Sequence, residues 1–482
     1  MGGTVTSTPD RLLPWIDGKS WPARDFVELV EPYRGDVVSL VGQADAEAVE
    51  AALSSAERAS RVMAAMPVHE RARLLRALAD LIAKRADELA PEITRTTGKV
   101  ISHTLKETRR VPWTVRAAAT AAETLMAPNL PTDLMPGGEG VVFISVRHPV
   151  GIVAAITPFN APLNLVAHKV APALAVGNSV IIKPSPYVPG PALRLAQMCT
   201  EDGFPDGAVN VIPGGTDIGR SFLADERVAL ITFTGGTRAG REIRASSGLR
   251  PVLLELGGNS ANIVHSDADI THAVSECLVG GFSNNGQSCN SVQRIIIHED
   301  VFENFKDQLL VRVAALVAGD PMDPKTDIGP LISEASAIRV MENIDNAREA
   351  GAEVLIGGTR VGAVVSPTVI SGVDPSQALY FDEAFAPVVI LEKYSNINDA
   401  FARANSTEFA LQAAIFTSSI SIGLAAFREM RAGSVILNRS SNFRLDHLPY
   451  GGIGESGIGR EGPLFAAEAM TYIKSLVIGA DR

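Results

Sequence analysis

The chain has 482 residues, room for two or three domains at about 150 residues each. Its 46% hydrophobic and 20% charged content is that of an ordered globular protein and excludes a disordered or coiled-coil one. With 43 basic against 54 acidic residues the net charge is −11, a poor balance for general binding of nucleic acid or an anionic membrane, and neither partner is expected.

Met1 to Ser7 lacks the basic and apolar parts of a secretory leader. It matches M-G-x-x-x-[ST], a pattern too loose to assign a lipid. The stretch up to Gly98 reads mainly as helices. Asp45 is a candidate cap for Ala46 to Met66. A second helix runs from His69 to Thr96, with Leu74, Leu75, Leu78, Leu81 and Ile82 on one face and Gly98 as its stop. Val141 to His148 alternates weakly, like a strand. Val150 to Ala167 carries no charge, but Pro158, Asn160, Pro162 and Asn164 would leave backbone groups unsatisfied in lipid, so it is not read as a membrane span.

Short apolar runs then recur: Val150 to Thr157, Ser179 to Lys183, Val209 to Ile212, Leu230 to Phe233 and Pro251 to Leu256. Helical segments such as Ala192 to Thr200 and Thr237 to Ser246 separate them. Alternating strand and helix predicts a parallel, doubly wound α/β sheet covered on both faces. A second alternating region, from Ser291–Ile297 to Ser434–Asn438, predicts a second α/β domain. Met470 to Ile478 reads as a further weak strand.

Five local features are candidates for chemistry. The pattern G-x-G-x-x-G occurs at Gly452–Gly457 and again at Gly457–Gly462, but far from the nearest strand, so it reads as a flexible glycine loop. Phe233-Thr234-Gly235-Gly236-Thr237 has better context, since a strand runs into two glycines and a helix. It fits either a dinucleotide site or an ordinary turn. Glu255 is a lone carboxylate in an apolar strand, which must pair with a cation or take a raised pKa and serve as a base. Cys289 lies among small polar residues whose amides could hold a thiolate or oxyanion, whereas Cys199 and Cys277 sit on apolar helix faces. None of the three cysteines forms a C-x-x-C pair. Free thiols in a reducing, cytoplasmic setting are expected, and no metal site. Asn160, in Pro158-Phe159-Asn160, reads on its own as a turn residue.

Taken together these motifs resemble the NAD(P)-dependent aldehyde dehydrogenase superfamily. Glu255-Leu256-Gly257-Gly258 and Gly286-Gln287-Ser288-Cys289 carry the likeness, with Lys183-Pro184-Ser185, Glu383-Ala384-Phe385-Ala386-Pro387 and Pro449-Tyr450-Gly451-Gly452 in the same order. The resemblance implies two doubly wound α/β domains plus a small β oligomerisation arm. Residues 1–125 with 150–256 would bind cofactor, 257–448 would be catalytic, and 126–149 with 470–482 would form the arm of a homodimer or homotetramer.

The resemblance also implies roles. Cys289 attacks an aldehyde, Asn160 and the Cys289 backbone N–H hold the oxyanion, and Glu255 activates the water that releases the acid. Lys183, also counted with the catalytic set, lies on the adenosine ribose. Gly235 and Gly236 lie near the pyrophosphate, Glu383 on the nicotinamide ribose and Phe385 beside that ring. Thr157, Pro158, Phe159, Ser185, Pro186, Phe233, Thr234, Leu256 and Gly257 complete the cofactor wall. Pro186 stands where NAD-preferring members often carry a ribose-binding Glu, so NAD and NADP both stay open. The alternatives are a CoA-acylating semialdehyde dehydrogenase, disfavoured by Glu255, and a non-catalytic structural protein with this fold.

By the same resemblance the substrate is a small-molecule aldehyde. Ala161, Asn164, Leu165, His168, Ser288, Asn290, Arg444 and Tyr450 should wall its pocket, with Arg110 at the entrance. Few are bulky and apolar, which points to a short polar or anionic aldehyde. Arg444 would either bind its anion or brace the loop by pairing with Asp446 or another carboxylate.

Overall fold

The computed structural model describes residues 10–479. Met1 to Ser7 and residues 480–482 of the expected arm lie outside them. The chain builds two large sheets. The first runs, edge to edge, Gly457–Ile458, Val252–Glu255, Val228–Thr234, Ile152–Ile156, Ser179–Lys183, Val209–Val211, Trp15–Ile16 and Lys19–Ser20. Its five strands from Val252–Glu255 to Val209–Val211 are parallel. Ser179–Lys183 is buried at every position, as a strand covered on both faces must be. From Ile152–Ile156 the chain winds to one side through Ser179–Lys183 and to the other through Val228–Thr234. Registers place Ile156 beside Lys183 and Phe233, and Thr234 beside Glu255. These carboxyl ends form one row at the topological switch point, where ligands bind in such sheets.

The second sheet runs Glu353–Ile356, Thr368–Ser371, Val388–Tyr394, Val292–His298, Ser260–Val264, Gln412–Phe416 and Ser434–Leu437. Only Glu353–Ile356 is antiparallel to its neighbour.

Helix Ala46–Ala65 starts where Asp45 accepts the Ala48 N–H at 2.9 Å. Helix Val68–Thr97 stops at Gly98, whose φ of 72° a side chain would resist. Leu74, Leu75, Leu78 and Ile82 are buried in its core face, and Leu81 is half-buried. The next helix, Ile101–Thr124, packs alongside it.

Two sequence expectations are corrected. The N-terminal stretch is mainly helical, through Ala46–Ala65 and Val68–Thr97, but the part before Asp45 is built of strands. Asp10–Leu12, Phe26–Val30 and Val37–Gly42 form a three-stranded sheet, and Trp15–Ile16 and Lys19–Ser20 join the first large one. Strands this short carry no readable period, and Phe26–Val30 is mostly exposed. The glycine loop after Tyr450 is not loose. Gly457–Ile458 pairs with Leu254 and Glu255, the Leu256 N–H donates to the Ser456 carbonyl at 3.1 Å, and the Ala410 N–H donates to Ser456 Oγ at 2.9 Å.

Val142–Pro149 and Thr471–Ile478 pair antiparallel along their whole length. This ribbon exposes Val142, Ile144, Val146, Leu476, Val477 and Ile478. Among the described residues no helix is long and apolar enough to cross a membrane.

Candidate active site

A cavity of about 720 Å³ opens at the row of strand ends. Thr157, Lys183, Thr234 and Glu255 line it from the first sheet. Cys289, Glu383 and Phe385 line it from segments beside the second, and His103, Lys106 and Arg110 from helix Ile101–Thr124.

The Cys289 loop is held in a costly shape. Asn284, Asn285 and Gly286 are all left-handed, with φ of 56°, 58° and 69°. Asparagine tolerates this region best among residues with a side chain, at roughly 1–2 kcal/mol for an ordinary one. The structure offsets that cost with side-chain bonds. Asn285 Nδ2 donates to the carbonyls of Gly98 at 3.0 Å and Pro330 at 2.9 Å, and its Oδ1 accepts the Gly329 N–H at 2.8 Å. Asn284 Nδ2 donates to the carbonyls of Asn160 and Gln287 at 3.2 and 2.9 Å. A Cβ on Gly286 would lie 2.0 Å from the Ala386 carbonyl oxygen, so no larger residue fits. Asn160 is tied to the same loop, with Nδ2 donating to the Gln287 carbonyl at 3.0 Å. Lys99 Nζ, in a buried pair with Glu107, donates to the Asn160 carbonyl at 3.2 Å.

Cys289 is half-buried, and its Sγ lies 3.0 Å from Tyr450 Oη. Burial pushes the thiol up to about 12, while the Tyr450 hydroxyl and the Arg444 charge pull it down. Cys199 and Cys277 are 2% and 0% exposed, in agreement with a structural part. Glu255 is buried with Oε2 lacking a hydrogen-bond partner, and burial raises its pKa well above the ordinary value, reinforced by the Glu461 charge. A Cβ on Gly451 would come within 2.8 Å of Glu255 Oε1. Glu383 accepts the Gly258 N–H at 3.0 Å, and enclosure pushes it up to about 7.

Phe385 has a φ of 48°, strained for a residue with a side chain, and it sets its ring edge-on to Phe159 at 5.8 Å. Thr234 Oγ1 is buried without a partner, and a Cβ at Gly236 would meet nothing within 4 Å. An orphaned hydroxyl beside open backbone fits a cofactor rich in donors and acceptors.

The family model for the aldehyde dehydrogenase family matches residues 15–476. The chain belongs to that family. The 3-sulfolactaldehyde dehydrogenase of Priestia megaterium is 38% identical over 96% of this chain and 97% of its own. Aldehyde dehydrogenase 21 from Physcomitrella patens, solved with the reaction product succinate, superposes with a TM-score of 0.96 at 35% identity, covering 98% of this chain and 99% of that one. A glyceraldehyde-3-phosphate dehydrogenase from Methanocaldococcus jannaschii complexed with NADP gives 0.90 at 34%, covering 95% and 99%. The fold is that of an aldehyde dehydrogenase, and the activity is NAD(P)-dependent oxidation of an aldehyde to its acid.

The cavity of this dehydrogenase gathers nearly every residue expected from the sequence. Cys289, Glu255, Asn160 and Lys183 line it. So do Thr157, Pro158, Phe159, Ser185, Pro186, Phe233, Thr234, Gly235, Gly236, Leu256, Gly257, Glu383 and Phe385, and on the substrate side Arg110, Ala161, Leu165, Ser288, Asn290, Arg444 and Tyr450. Asn164 and His168 are corrected. Both are fully enclosed behind the wall, where Asn164 Nδ2 at 3.2 Å and His168 Nε2 at 3.0 Å meet Asp446 Oδ1. Asn164 begins helix Asn164–Ala175, and that helix turns its side chain inward to Thr114.

Arg444 does pair with carboxylates, with Glu461 at 2.7 Å and Asp446 at 3.7 Å, and still borders the cavity. Sequence reasoning missed Lys99, His103, Lys106, Arg339 and Glu461. His103, Lys106 and Arg110 had a signal, the one-face helical spacing. Arg339 had none, since it comes from a distant segment, and Glu461 lies within the Gly457–Gly462 pattern that reads from sequence as a loop.

Proposed function

We propose that this enzyme oxidises a short anionic aldehyde, with Cys289 as nucleophile, Asn160 and the Cys289 N–H as oxyanion donors, and Glu255 as the base. Cys289 Sγ adds to the carbonyl carbon, and the developing oxyanion is met by the two N–H donors. The chemistry that NAD(P) supplies when bound is acceptance of the hydride, which leaves Cys289 as a thioester. Glu255 then takes a proton from water, whose oxygen attacks the thioester carbon. The acid leaves and the thiolate returns. Lys183, Ser185, Gly235 and Gly236 would hold the adenosine and pyrophosphate end, and Glu383 the nicotinamide ribose.

One observation carries the substrate class. Arg110 rests on Asp446 through its Nε at 3.0 Å, and Arg444 is held on Glu461 through one terminal nitrogen at 2.7 Å. Both side chains line the cavity; among the described residues Arg110 keeps both terminal nitrogens without a protein partner and Arg444 keeps its Nη1, guanidinium donors suited to a carboxylate or sulfonate. Relatives that act on 3-sulfolactaldehyde or were solved with succinate support the same class. The decisive measurement is kcat/KM over anionic, neutral short, long-alkyl and aromatic aldehydes, each with NAD and NADP. The anionic aldehydes should lead by about tenfold, roughly 1.4 kcal/mol, and Arg110→Ala or Arg444→Ala should erase the lead. A long-alkyl or aromatic aldehyde ahead by that margin sinks the reading.

The apolar ribbon of Val142–Pro149 and Thr471–Ile478 supports assembly as a homodimer or homotetramer through exposed strand edges. A monomer by light scattering at micromolar concentration would overturn that. The domain limits taken from the sequence stand as a proposal with it, and the three free thiols favour a reducing, cytoplasmic setting.

A further inference from the structure

The Tyr450 side chain is 4% exposed, and a buried phenol hydroxyl needs a hydrogen-bond partner. Among the described residues it has one, Cys289 Sγ at 3.0 Å. The ring is fixed in that position. The Tyr450 N–H donates to the Glu461 carbonyl at 3.0 Å, and the Tyr450 carbonyl accepts the Glu461 N–H at 2.6 Å. The Arg444 guanidinium lies 3.9 Å over the ring centre and is itself anchored on Glu461. A thiol sulfur accepts hydrogen bonds weakly, and a thiolate accepts them strongly. A hydroxyl with only sulfur to bond to is therefore best satisfied when that sulfur is charged. By linkage the contact favours the thiolate to the same extent.

We propose that Tyr450 is a catalytic residue, whose hydroxyl donates a hydrogen bond to the Cys289 thiolate and holds the nucleophile charged and aimed before the aldehyde arrives. No proton changes hands in this contact. Burial keeps the Tyr450 hydroxyl protonated far above its ordinary range, so it stays a donor at every working pH. The inference rests on Cys289 being the nucleophile.

The test follows alkylation of Cys289 by iodoacetamide against pH in the full-length enzyme, read by mass spectrometry of the Cys289 peptide. Tyr450→Phe keeps the ring under Arg444 and deletes only the donor. Its inflection should move up by about one pH unit and its rate near neutrality should fall about tenfold, the scale of one hydrogen bond to a charged group. NAD(P) affinity should not change. Should the phenylalanine variant fold poorly, site-specific 3-fluorotyrosine at 450 offers a stronger donor of the same shape and should move the inflection down. A profile that stays in place in either variant, or moves down in Tyr450→Phe, overturns the proposal. Loss of turnover in Cys289→Ala together with an unshifted Tyr450→Phe profile would sink the tyrosine assignment alone. Normal turnover in Cys289→Ala would sink the nucleophile beneath it.

Discussion

Two pairs of carboxylates stand at the cavity or just behind its wall, and the protein treats them oppositely. Among the described residues Glu255 and Glu383, on the Cys289 side, have no cation within salt-bridge reach, and burial raises both, Glu383 to about 7. Glu461 and Asp446, on the Arg444 side, are buried too. Burial opposes their charge, but His168 and the Arg444 and Lys169 cations win at Glu461, holding it down to about 2. His168 and Arg110 likewise hold Asp446 below the usual carboxylate range. On one side burial favours the protonated carboxyl, and the other side keeps fixed charges in place. Chemistry needs the first property, and recognition of an anion by anchored arginines needs the second.

Removing the proposed nucleophile tests the reacting side most severely. Cys289→Ala should lower turnover of every aldehyde by at least about a thousandfold, while leaving cofactor binding and thermal stability near wild type. Cys199→Ala and Cys277→Ala should remain active, because both thiols are enclosed away from the cavity. Loss that depends on the aldehyde's charge would show that the two sides are not separate in function.

Glu255→Gln comes next. Steady turnover should fall about a hundredfold, the usual weight of a general base. A burst of reduced nicotinamide, one per active site, should survive, since the acyl-enzyme forms and waits. Stopped-flow absorbance reads both. Loss of the burst as well would mean that Glu255 also deprotonates Cys289, and the contrast would then be one of two tasks on a single residue.

The reacting side was legible as candidates because most of its parts are local. The strand–Gly–Gly–helix at Thr234, the lone Glu255 in an apolar strand and the polar Cys289 segment each stand out within eight residues or so, while their roles, and that of Asn160, came from the resemblance of the motifs taken together. The structure adds what spacing does not show, such as the Asn285 side chain reaching Gly98 and Pro330 to hold the loop. The fixed-charge side was legible only in part. Arg110, Asn164, His168, Arg444, Asp446 and Glu461 come from four separate stretches, and no window contains them all. Asn164 was misplaced for that reason. Its side chain belongs to Asp446 and Thr114, not to the cavity. The N-terminal strands were missed on different grounds, being too short and too exposed to show alternation.

The smallest expected effect sharpens the contrast through pH. Among the described residues Glu383 accepts a single N–H, from Gly258 at 3.0 Å, and a Cβ at Gly257 would lie 2.9 Å from its Oε2. With so little hydrogen bonding to the charged form, enclosure leaves its pKa at about 7. If its two oxygens accept the ribose hydroxyls of the cofactor, only the carboxylate serves fully. The sign follows directly: above about 7 the group is ionised and the apparent KM for NAD(P) is flat, and below it protonation competes with binding and KM rises, about threefold to tenfold over the first pH unit. Glu383→Gln should bind more weakly throughout and lose this slope. Glu461 and Asp446, held anionic well into the acid range, cannot supply such a slope near neutrality. A wild-type KM unchanged on both sides of neutrality would mean that the ribose does not rest on Glu383 and that proton exchange on the reacting side belongs to Glu255 alone.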